Sequence, residues 1–358
     1  MINEFSRKES PLQGLTGLGG GIASRLLSGV AEITVDQVFS TDLWTGNSTT
    51  QTITNGIDLS GDGGLVWIKG RNDTWANALF DTERGPGFEL NSATTGGHDS
   101  DTQVSSQKDL YQFNSNGYSI GQNYNSYINA NGYTFVGWTF RKCQKFFDIV
   151  TYTGDGTTNR NIPHNLGSVP GFITVKALNF NSDPWYSYHR STGNQGELRL
   201  SETDAAVTGS SRWASYTPTS SHFRGDTAAI NVNGRNYVAY LFAHDEQEFG
   251  SGGNEAIIHC GSYSGASTGP TITTGFEVKW IIIKRTDAAA NWRLYDATRG
   301  FTTGGDPFLK PNSSSAETTT GDDRVRPTST GFQVCNSSVG DAAINNGSGS
   351  SYIYIAIA

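Results

Sequence analysis

Apolar and polar residues alternate over many short stretches of this chain, and clusters of Gly, Asn, Asp, Ser and Thr separate the stretches. The clearest examples are residues 133–140, 237–242 and 352–357, which are rich in aromatic and β-branched side chains. Successive side chains of a strand point to opposite faces, so this pattern predicts β-strands. In residues 133–140 both faces are apolar, with Phe135 on one face and Trp138 on the other. This predicts either an inner strand covered on both faces or a strand buried against a neighbouring subunit.

A longer pattern occurs three times. A β-branched strand ends in a lysine, a tryptophan follows after a variable loop, and an aromatic strand leads into a turn that ends in glycine. The three lysines, Lys69, Lys176 and Lys284, lie 107 and 108 residues apart. This period is too long for a solenoid or propeller repeat and indicates a small domain used three times.

The copies also agree in their general organisation. Each one predicts about seven or eight short strands at spacings of roughly 8–12 residues, as in a β-sandwich. The predicted fold is therefore all-β, with three tandem β-sandwich domains of the jelly-roll kind after an extended Gly-rich peptide. The predicted boundaries are 1–30 for the peptide and 31–142, 143–250 and 251–358 for the domains.

Composition narrows the possible partners. The formal net charge is −8 and only 16% of the residues are charged, with no basic run, so a nucleic-acid partner is disfavoured. No stretch has the roughly 18 apolar residues of a membrane span, and we expect neither membrane insertion nor a secretory signal peptide. The three cysteines form neither a disulfide framework nor a metal-ligand spacing, so we expect free thiols.

The N-terminal segment, residues 1–30, differs from the rest of the chain. Its apolar residues alternate with glycines, which favour the unfolded state, so it cannot bury them by itself. We expect a peptide that anchors the protein to a partner by strand addition or by filling a groove, and a disordered tail is the alternative. The candidate anchoring residues are Phe5, Leu12, Leu15, Leu18 and Ile22.

One pair of carboxylates raises the question of catalysis. Asp81 and Glu83 are two residues apart on a predicted strand, roughly 6–7 Å from each other, which fits the acid and base of a glycoside hydrolase. The third copy keeps Asp296 but has Thr298 in place of Glu83, and the second copy has His189. A structural Asp–Arg lock in the turn explains this distribution better than catalysis does.

Metal and cofactor signals are weak. The pairs Asp99/Asp101 and Asp322/Asp323 lie in polar loops that could hold Ca²⁺, although solvated loop charges are the simpler interpretation. The six histidines have no spacing typical of zinc ligands. We therefore predict no catalytic residues, no metal and no cofactor.

Aromatic residues offer a different kind of site. The repeated Trp75, Trp185 and Trp292 could form platforms for sugars, but core positions beneath each hairpin explain them better. In the divergent second copy, Trp213, Tyr216 and His222 are the better candidates for exposed receptor contacts.

The repeated motifs carry a family resemblance. They include Val-Trp-Ile-Lys at 66–69, Phe-Asp-Thr-Glu-Arg-Gly at 80–85, Tyr-Thr-Phe-Val-Gly-Trp-Thr-Phe at 133–140 and Ile-Pro-His-Asn-Leu-Gly at 162–167. Together they resemble a repeat in virion proteins of tailed bacteriophages, particularly marine and cyanobacterial phages. The resemblance covers residues 31–358 and is faintest in the second copy. It implies a structural protein of the virion, either a tail fibre or adhesin, or a head decoration or vertex protein.

The resemblance and the residues together define the expected function. We expect a non-enzymatic, tail-associated fibre or adhesin that docks on other virion proteins through its N-terminus and contacts a host-surface glycan or protein. A capsid decoration or vertex fibre is the alternative, and an envelope polysaccharide-degrading enzyme using Asp81 and Glu83 is a third hypothesis. Apolar residues on both faces of 352–357 suggest a homo-oligomer, and phage fibres are commonly trimers, so a homotrimer is expected before a dimer.

Overall fold

The computed structural model describes residues 32–100, 109–121, 128–301, 305–319, 321, 323–336 and 341–358, apart from the side chains of residues 99 and 100. The predicted fold class is confirmed: the chain is all-β and is built from antiparallel sheets. Each of three consecutive units contains one larger sheet and one smaller sheet. The N-terminal peptide, with its five candidate anchoring residues, lies outside the described residues.

The described residues of unit 1 form nine strands. Its larger sheet has the order β1-β9-β3-β4-β5-β6, and its smaller sheet has the order β2-β8-β7. The strands are β1 (Phe39–Thr45), β2 (Gln51–Thr54), β3 (Gly64–Gly70), β4 (Asn77–Asp81), β5 (Phe88–Asn91), β6 (Asp99–Ser100), β7 (Leu110–Asn114), β8 (Gly117–Ile120) and β9 (Thr134–Arg141).

Unit 2 repeats this plan with seven strands. The larger sheet has the order β10-β16-β12-β13-β14, and β11 pairs with β15 in the smaller sheet. The strands are β10 (Phe147–Thr153), β11 (Ile162–Pro163), β12 (Phe172–Ala177), β13 (Tyr186–His189), β14 (Leu198–Arg199), β15 (His222–Phe223) and β16 (Asn236–Phe242).

The described part of unit 3 also forms seven strands. The order is β17-β23-β19-β20 in the larger sheet and β18-β22-β21 in the smaller one. The strands are β17 (Ile258–Ser264), β18 (Thr271–Thr273), β19 (Trp280–Arg285), β20 (Arg293–Asp296), β21 (Val325–Thr328), β22 (Gly331–Val334) and β23 (Ser351–Ile357). A 3₁₀ turn, Ala297–Arg299, follows β20, and another, Val35–Gln37, precedes β1.

Strand pairing makes the three units equivalent position by position. The last strand of each unit, β9, β16 or β23, lies between the first strand and the lysine-bearing strand. Opposite residues across these central pairs are Trp67 and Trp138, Thr174 and Tyr240, and Ile282 and Ile355. The pairing therefore assigns equivalents without relying on sequence similarity.

Each larger sheet has two apolar faces because it packs on two sides. In units 1 and 3 one face packs on the smaller sheet of the same unit, in cores that include Phe135 and Tyr354 respectively. The opposite faces of all three larger sheets meet in one central core, which contains Trp138, Tyr240 and Ile355. The apolar residues on both sides of 133–140 and 352–357 are thus buried within the chain. An apolar cavity of about 20 Å³ remains at the centre, with room for about one water molecule.

Equivalent backbone hydrogen bonds join the units into a closed ring. In each case an amide in the polar segment of one unit donates to a carbonyl two residues beyond the lysine of the next unit. The bonds run from His98 to Leu178 over 3.0 Å, from Ala206 to Thr286 over 2.9 Å, and from Glu317 to Arg71 over 2.7 Å. The third bond returns from unit 3 to unit 1, so the chain forms a pseudo-threefold ring.

Side chains reinforce the same junctions. The residue opposite each repeated lysine donates a hydrogen bond to the preceding unit, at equivalent carbonyls. Trp185 Nε1 donates to Asn91 O over 2.9 Å, Trp292 Nε1 to Arg199 O over 3.1 Å, and Asn77 Nδ2 to Lys310 O over 3.4 Å. Trp185 and Trp292 are therefore core residues, whereas the unit 1 equivalent is Asn77 and not Trp75.

Two of the three buried repeat lysines donate a hydrogen bond to the preceding unit, and the third does not. Lys176 Nζ donates to Thr95 O over 3.0 Å, and Lys284 Nζ donates to Thr203 O over 2.9 Å, so both ammonium groups reach the preceding unit. Lys69 instead donates to Gly70 O over 2.7 Å and pairs with Asp73 inside its own unit. Burial lowers the pKa of both Lys176 and Lys284 to about 8.

Candidate ligand grooves at the unit junctions

The carboxylate of Asp81 is locked into the scaffold. Asp81 is fully buried and pairs with Arg84, with 2.5 Å between Arg84 Nε and Asp81 Oδ2. The hydroxyl of Tyr240, in unit 2, donates to the same oxygen over 2.7 Å. Glu83 is exposed and pairs with Lys142. The two carboxylates therefore do not face a common opening, and the pair lacks the geometry of a glycosidase.

The same lock recurs at the junction of units 3 and 1. Asp296 accepts from Arg299 Nε over 2.5 Å and from Trp138 Nε1, in unit 1, over 2.9 Å. In unit 2 the equivalent position is His189, whose Nε2 lies 3.1 Å from the carbonyl of Tyr354 in unit 3. Unit 3 has Ile355 where the other units have Trp138 and Tyr240, so no side-chain donor is present there. A neutral histidine bonded to the backbone takes the place of the carboxylate.

Two open grooves lie where the units meet. The first groove, between units 1 and 2, has a volume of about 380 Å³, within the range of small-ligand sites. Unit 1 contributes the turn and strand around Glu83 and Phe88, together with His98. Unit 2 contributes Thr151, Thr153, Leu178 and Asn236 from the rim of its larger sheet.

The second groove, between units 2 and 3, occupies the equivalent position and has a volume of about 420 Å³. Its lining is dominated by hydroxyl groups. The hydroxyl-bearing residues other than tyrosine are Ser191, Thr192, Ser262, Ser264, Thr286 and Ser351. Ser262, Ser264 and Ser351 match Thr151, Thr153 and Asn236 of the first groove.

The junction between units 3 and 1 is bridged by ion pairs. Glu317, which is equivalent to His98, lies 2.8 Å from Arg71 and 2.9 Å from Arg299. Burial works against ionisation of Glu317, but hydrogen bonds from Arg71 and the charge of Arg299 lower its pKa below the usual value. The carboxylate thus connects two units at the position where the first junction has its groove.

A histidine cluster lies beside the second junction, where β16 leads into β17. Potential metal-ligating atoms of His244, Asp245 and His259 lie within 4.8 Å of one another. The Cys260 amide donates to His244 Nδ1 over 3.2 Å, so the neutral ring carries its proton on Nε2. That tautomer has no free nitrogen for a metal, and the ring therefore serves the joint between the units. Burial lowers the pKa of His244 to about 4, which keeps the ring neutral near pH 7.

The predicted receptor contacts lie in different environments. Trp213 is fully buried and packs edge-on against Tyr188, so it is not available at the surface, and that part of the prediction needs correction. Tyr216 and His222 are half-buried and form a hydrogen-bonded pair, with 2.7 Å between the Tyr216 hydroxyl and His222 Nε2. Their role as contacts stays a prediction.

The remaining sequence candidates are the acidic loop pairs, the cysteines and a possible membrane span. Asp101 and Asp322 lie outside the described residues, as does the side chain of Asp99, and Asp323 pairs with Arg326. Cys143, Cys260 and Cys335 are free thiols. In the described part of the chain we find no helix of the length and apolarity that crossing a membrane requires.

Sequence reasoning missed the grooves because their residues come from two units each. Phe88, His98 and Asn236 carry no recognisable motif, and only the ring brings them together. It also missed a repeated buried asparagine that ties loops within each unit. Asn129, Asn231 and Asn345 each donate through Nδ2 to at least two partners in neighbouring loops of the same unit. The recurring Ile-Asn dipeptide before each last strand was a signal that could have revealed it.

The fold and junctions define an all-β protein whose three sandwich units close into one ring with grooves between them. The chain belongs to the DUF7483 family, a domain of unknown function, whose family model matches residues 35–358. Searches of curated proteins and of solved structures found no match.

Proposed function

We propose that this chain is a non-enzymatic structural and host-binding protein of a bacteriophage virion, most simply a tail-associated fibre or adhesin. A scaffold role is supported by the polar residues that recur in the repeat, because they bond to the neighbouring unit. Asp81, Asp296, Lys176 and Lys284 all hold one unit to the next. The residues that the repeat preserves thus build the ring.

Variation between the copies lies at the junction surfaces. The first groove presents aromatic and polar side chains, the second presents hydroxyls, and the third junction is bridged by Glu317. A constant scaffold with variable openings suits a binding protein. In this proposal the ring displays its grooves to the host surface, and residues 1–30 attach it to other virion proteins.

The proposal is tested by locating the protein on particles. Mass spectrometry of purified virions should detect it, and immunogold labelling with antibody to residues 31–358 should mark the tail. Label spread over the head would instead favour the capsid decoration or vertex alternative. Absence from purified particles would reject the virion proposal altogether.

The anchor is tested separately. A chain lacking residues 1–30 should fold, because the ring bonds involve only residues beyond that segment. It should fail to enter particles in a complementation assay, whereas the full chain is incorporated. Recovery of the truncated chain in virions at the full-length level would reject the anchor.

Homotrimer formation is part of the proposal, but the last strand of the chain does not supply its interface. The apolar faces of β23 are buried within the chain by the central core and by the small sheet of unit 3. Among the described residues, the exposed large hydrophobic side chains are Leu43, Tyr133, Val169 and Val207. Sedimentation equilibrium would distinguish a trimer from a single chain that already has threefold pseudosymmetry.

A further inference from the structure

The first groove differs from the second in one chemical feature. Phe88 and His98 stack with ring centroids 5.2 Å apart and planes 23° from parallel, and both residues are half-buried at the groove. The equivalent residues in unit 2 are Gly196 and Ala206. The pairing of β4 with β5 and of β13 with β14 establishes the first equivalence, and the ring hydrogen bonds establish the second. Only the first of these two grooves therefore carries a stacked aromatic pair at this position.

The polar groups of the first groove lie opposite this aromatic pair. Thr151, Thr153 and Asn236 are exposed along the rim of unit 2, and Thr153 Oγ1 donates to Asn236 Oδ1 over 2.8 Å. Glu83 is exposed on the unit 1 side. Hydroxyl, amide and carboxylate groups offer both donors and acceptors, as the hydroxyls of a sugar require.

The charge of the site indicates which sugars fit. Arg84 also lines the groove, but its guanidinium is occupied by Asp81, Phe88 O and Leu79 O. Glu83 pairs with Lys142, and the whole chain has a net charge of −8. An acidic sugar would therefore gain no ion pair from Arg84 and would approach a chain whose net charge has the same sign, whereas a neutral sugar needs no charged partner.

We propose that the first groove binds a neutral pyranose unit of a surface polysaccharide. One face of the sugar ring packs on the outer face of the Phe88–His98 stack, while its hydroxyls bond to Thr151, Thr153, Asn236 and Glu83. This inference rests on the proposed host-binding function and names its ligand class. The second groove, which has hydroxyls but no equivalent aromatic pair, provides an internal control.

The test is a titration of the full chain followed by amide NMR. The probes are methyl glycosides of glucose, galactose, mannose and N-acetylglucosamine, with glucuronate as the charged comparison. At least one neutral glycoside should give saturable shifts at residues of the first groove, and glucuronate should bind at least tenfold more weakly. No saturable shift with any neutral glycoside would overturn the proposal.

Matched variants connect binding to the aromatic pair. Phe88→Ala and His98→Ala should each weaken binding at least tenfold, Phe88→Tyr should retain it, and Ser262→Ala with Ser264→Ala in the second groove should leave it unchanged. Thermal unfolding checks that each variant is folded. Unchanged affinity in folded Phe88→Ala, or equal shifts in both grooves, would reject the assignment.

The outcome is independent of the test for virion location. A protein present on particles that binds none of the neutral glycosides would retain its proposed function and lose this ligand assignment. Glycoside binding by a protein absent from particles would keep this ligand assignment and reject the proposed virion function.

Discussion

The first and third junctions share the same backbone hydrogen bond but differ in side chains: the first has an aromatic stack and the third has ion pairs. His98 and Glu317 occupy equivalent positions and donate equivalent amide hydrogen bonds to the next unit. At the first junction the His98 side chain stacks on Phe88 beside an open groove, whereas at the third the Glu317 carboxylate pairs with Arg71 and Arg299. The backbone hydrogen bonds thus join the units in the same way at both junctions, and the side chain at the position of His98 and Glu317 differs between them.

The strongest way to break the third junction is Asp296→Ala. The substitution leaves the Arg299 guanidinium buried with only part of its partners and removes the acceptor of Trp138 Nε1. We expect a loss of about 3–5 kcal/mol in the free energy of unfolding, measured by urea denaturation. Asp323→Ala, in a partly exposed pair with Arg326, is the control and should cost about 0.5 kcal/mol or less. Equal effects would contradict the buried lock.

Acid should weaken the junction of units 2 and 3. Burial lowers the pKa of His189 to about 3, whereas the unfolded value is near 6.5. Below pH 6.5 the unfolded chain takes up a proton that the folded chain does not. The stability that depends on a neutral His189 is therefore fully present above pH 6.5 and is lost as the pH falls towards 3. The expected loss between pH 7 and pH 4 is about 3 kcal/mol.

The control for this pH effect is His189→Gln, which keeps a side-chain donor without a titrating group. Nearby Arg190, His244 and His259 remain in the variant, so the difference between the two pH profiles isolates His189. Unfolding free energies measured from pH 7 to pH 4 should fall less steeply in the variant. Parallel profiles would show that His189 does not carry the effect.

Glu317→Ala tests the difference between the two junctions directly. Arg299 keeps Asp296, and the Arg71 side chain is 25% exposed, so the expected loss is about 2 kcal/mol. His98→Ala at the first junction should cost less than about 1 kcal/mol, because a half-buried stack is lost. Equal losses in urea denaturation would mean that the ion pairs do not distinguish the junctions.

Alkaline pH should have the smallest effect per residue. Since the pKa values of Lys176 and Lys284 are about 8 when folded and near 10.5 when unfolded, the unfolded chain binds more protons between these values. Stability should therefore rise between pH 8 and pH 9, by roughly 1 kcal/mol per lysine. Carbon NMR of the lysine side chains checks this, and titration of both near pH 10.5 would contradict it.

The sequence by itself determined the strands and the units. Alternation in 133–140, 237–242 and 352–357 predicted the three central strands, because the period of two is a local property of extended backbone. The lysine spacing predicted three copies, and the distribution of Asp81, His189 and Asp296 favoured the Asp–Arg locks that the structure contains at Asp81 and Asp296.

Only the tertiary structure decided what the second apolar face of each strand meets. Trp138 and Ile355 pointed equally well to a subunit interface, since alternation does not identify the partner surface. Ring closure joins residues far apart in sequence, such as Arg71 and Glu317 or Phe88 and Asn236. Such pairings depend on how whole sheets pack, so no local pattern records them, and the grooves exist only once the ring has formed.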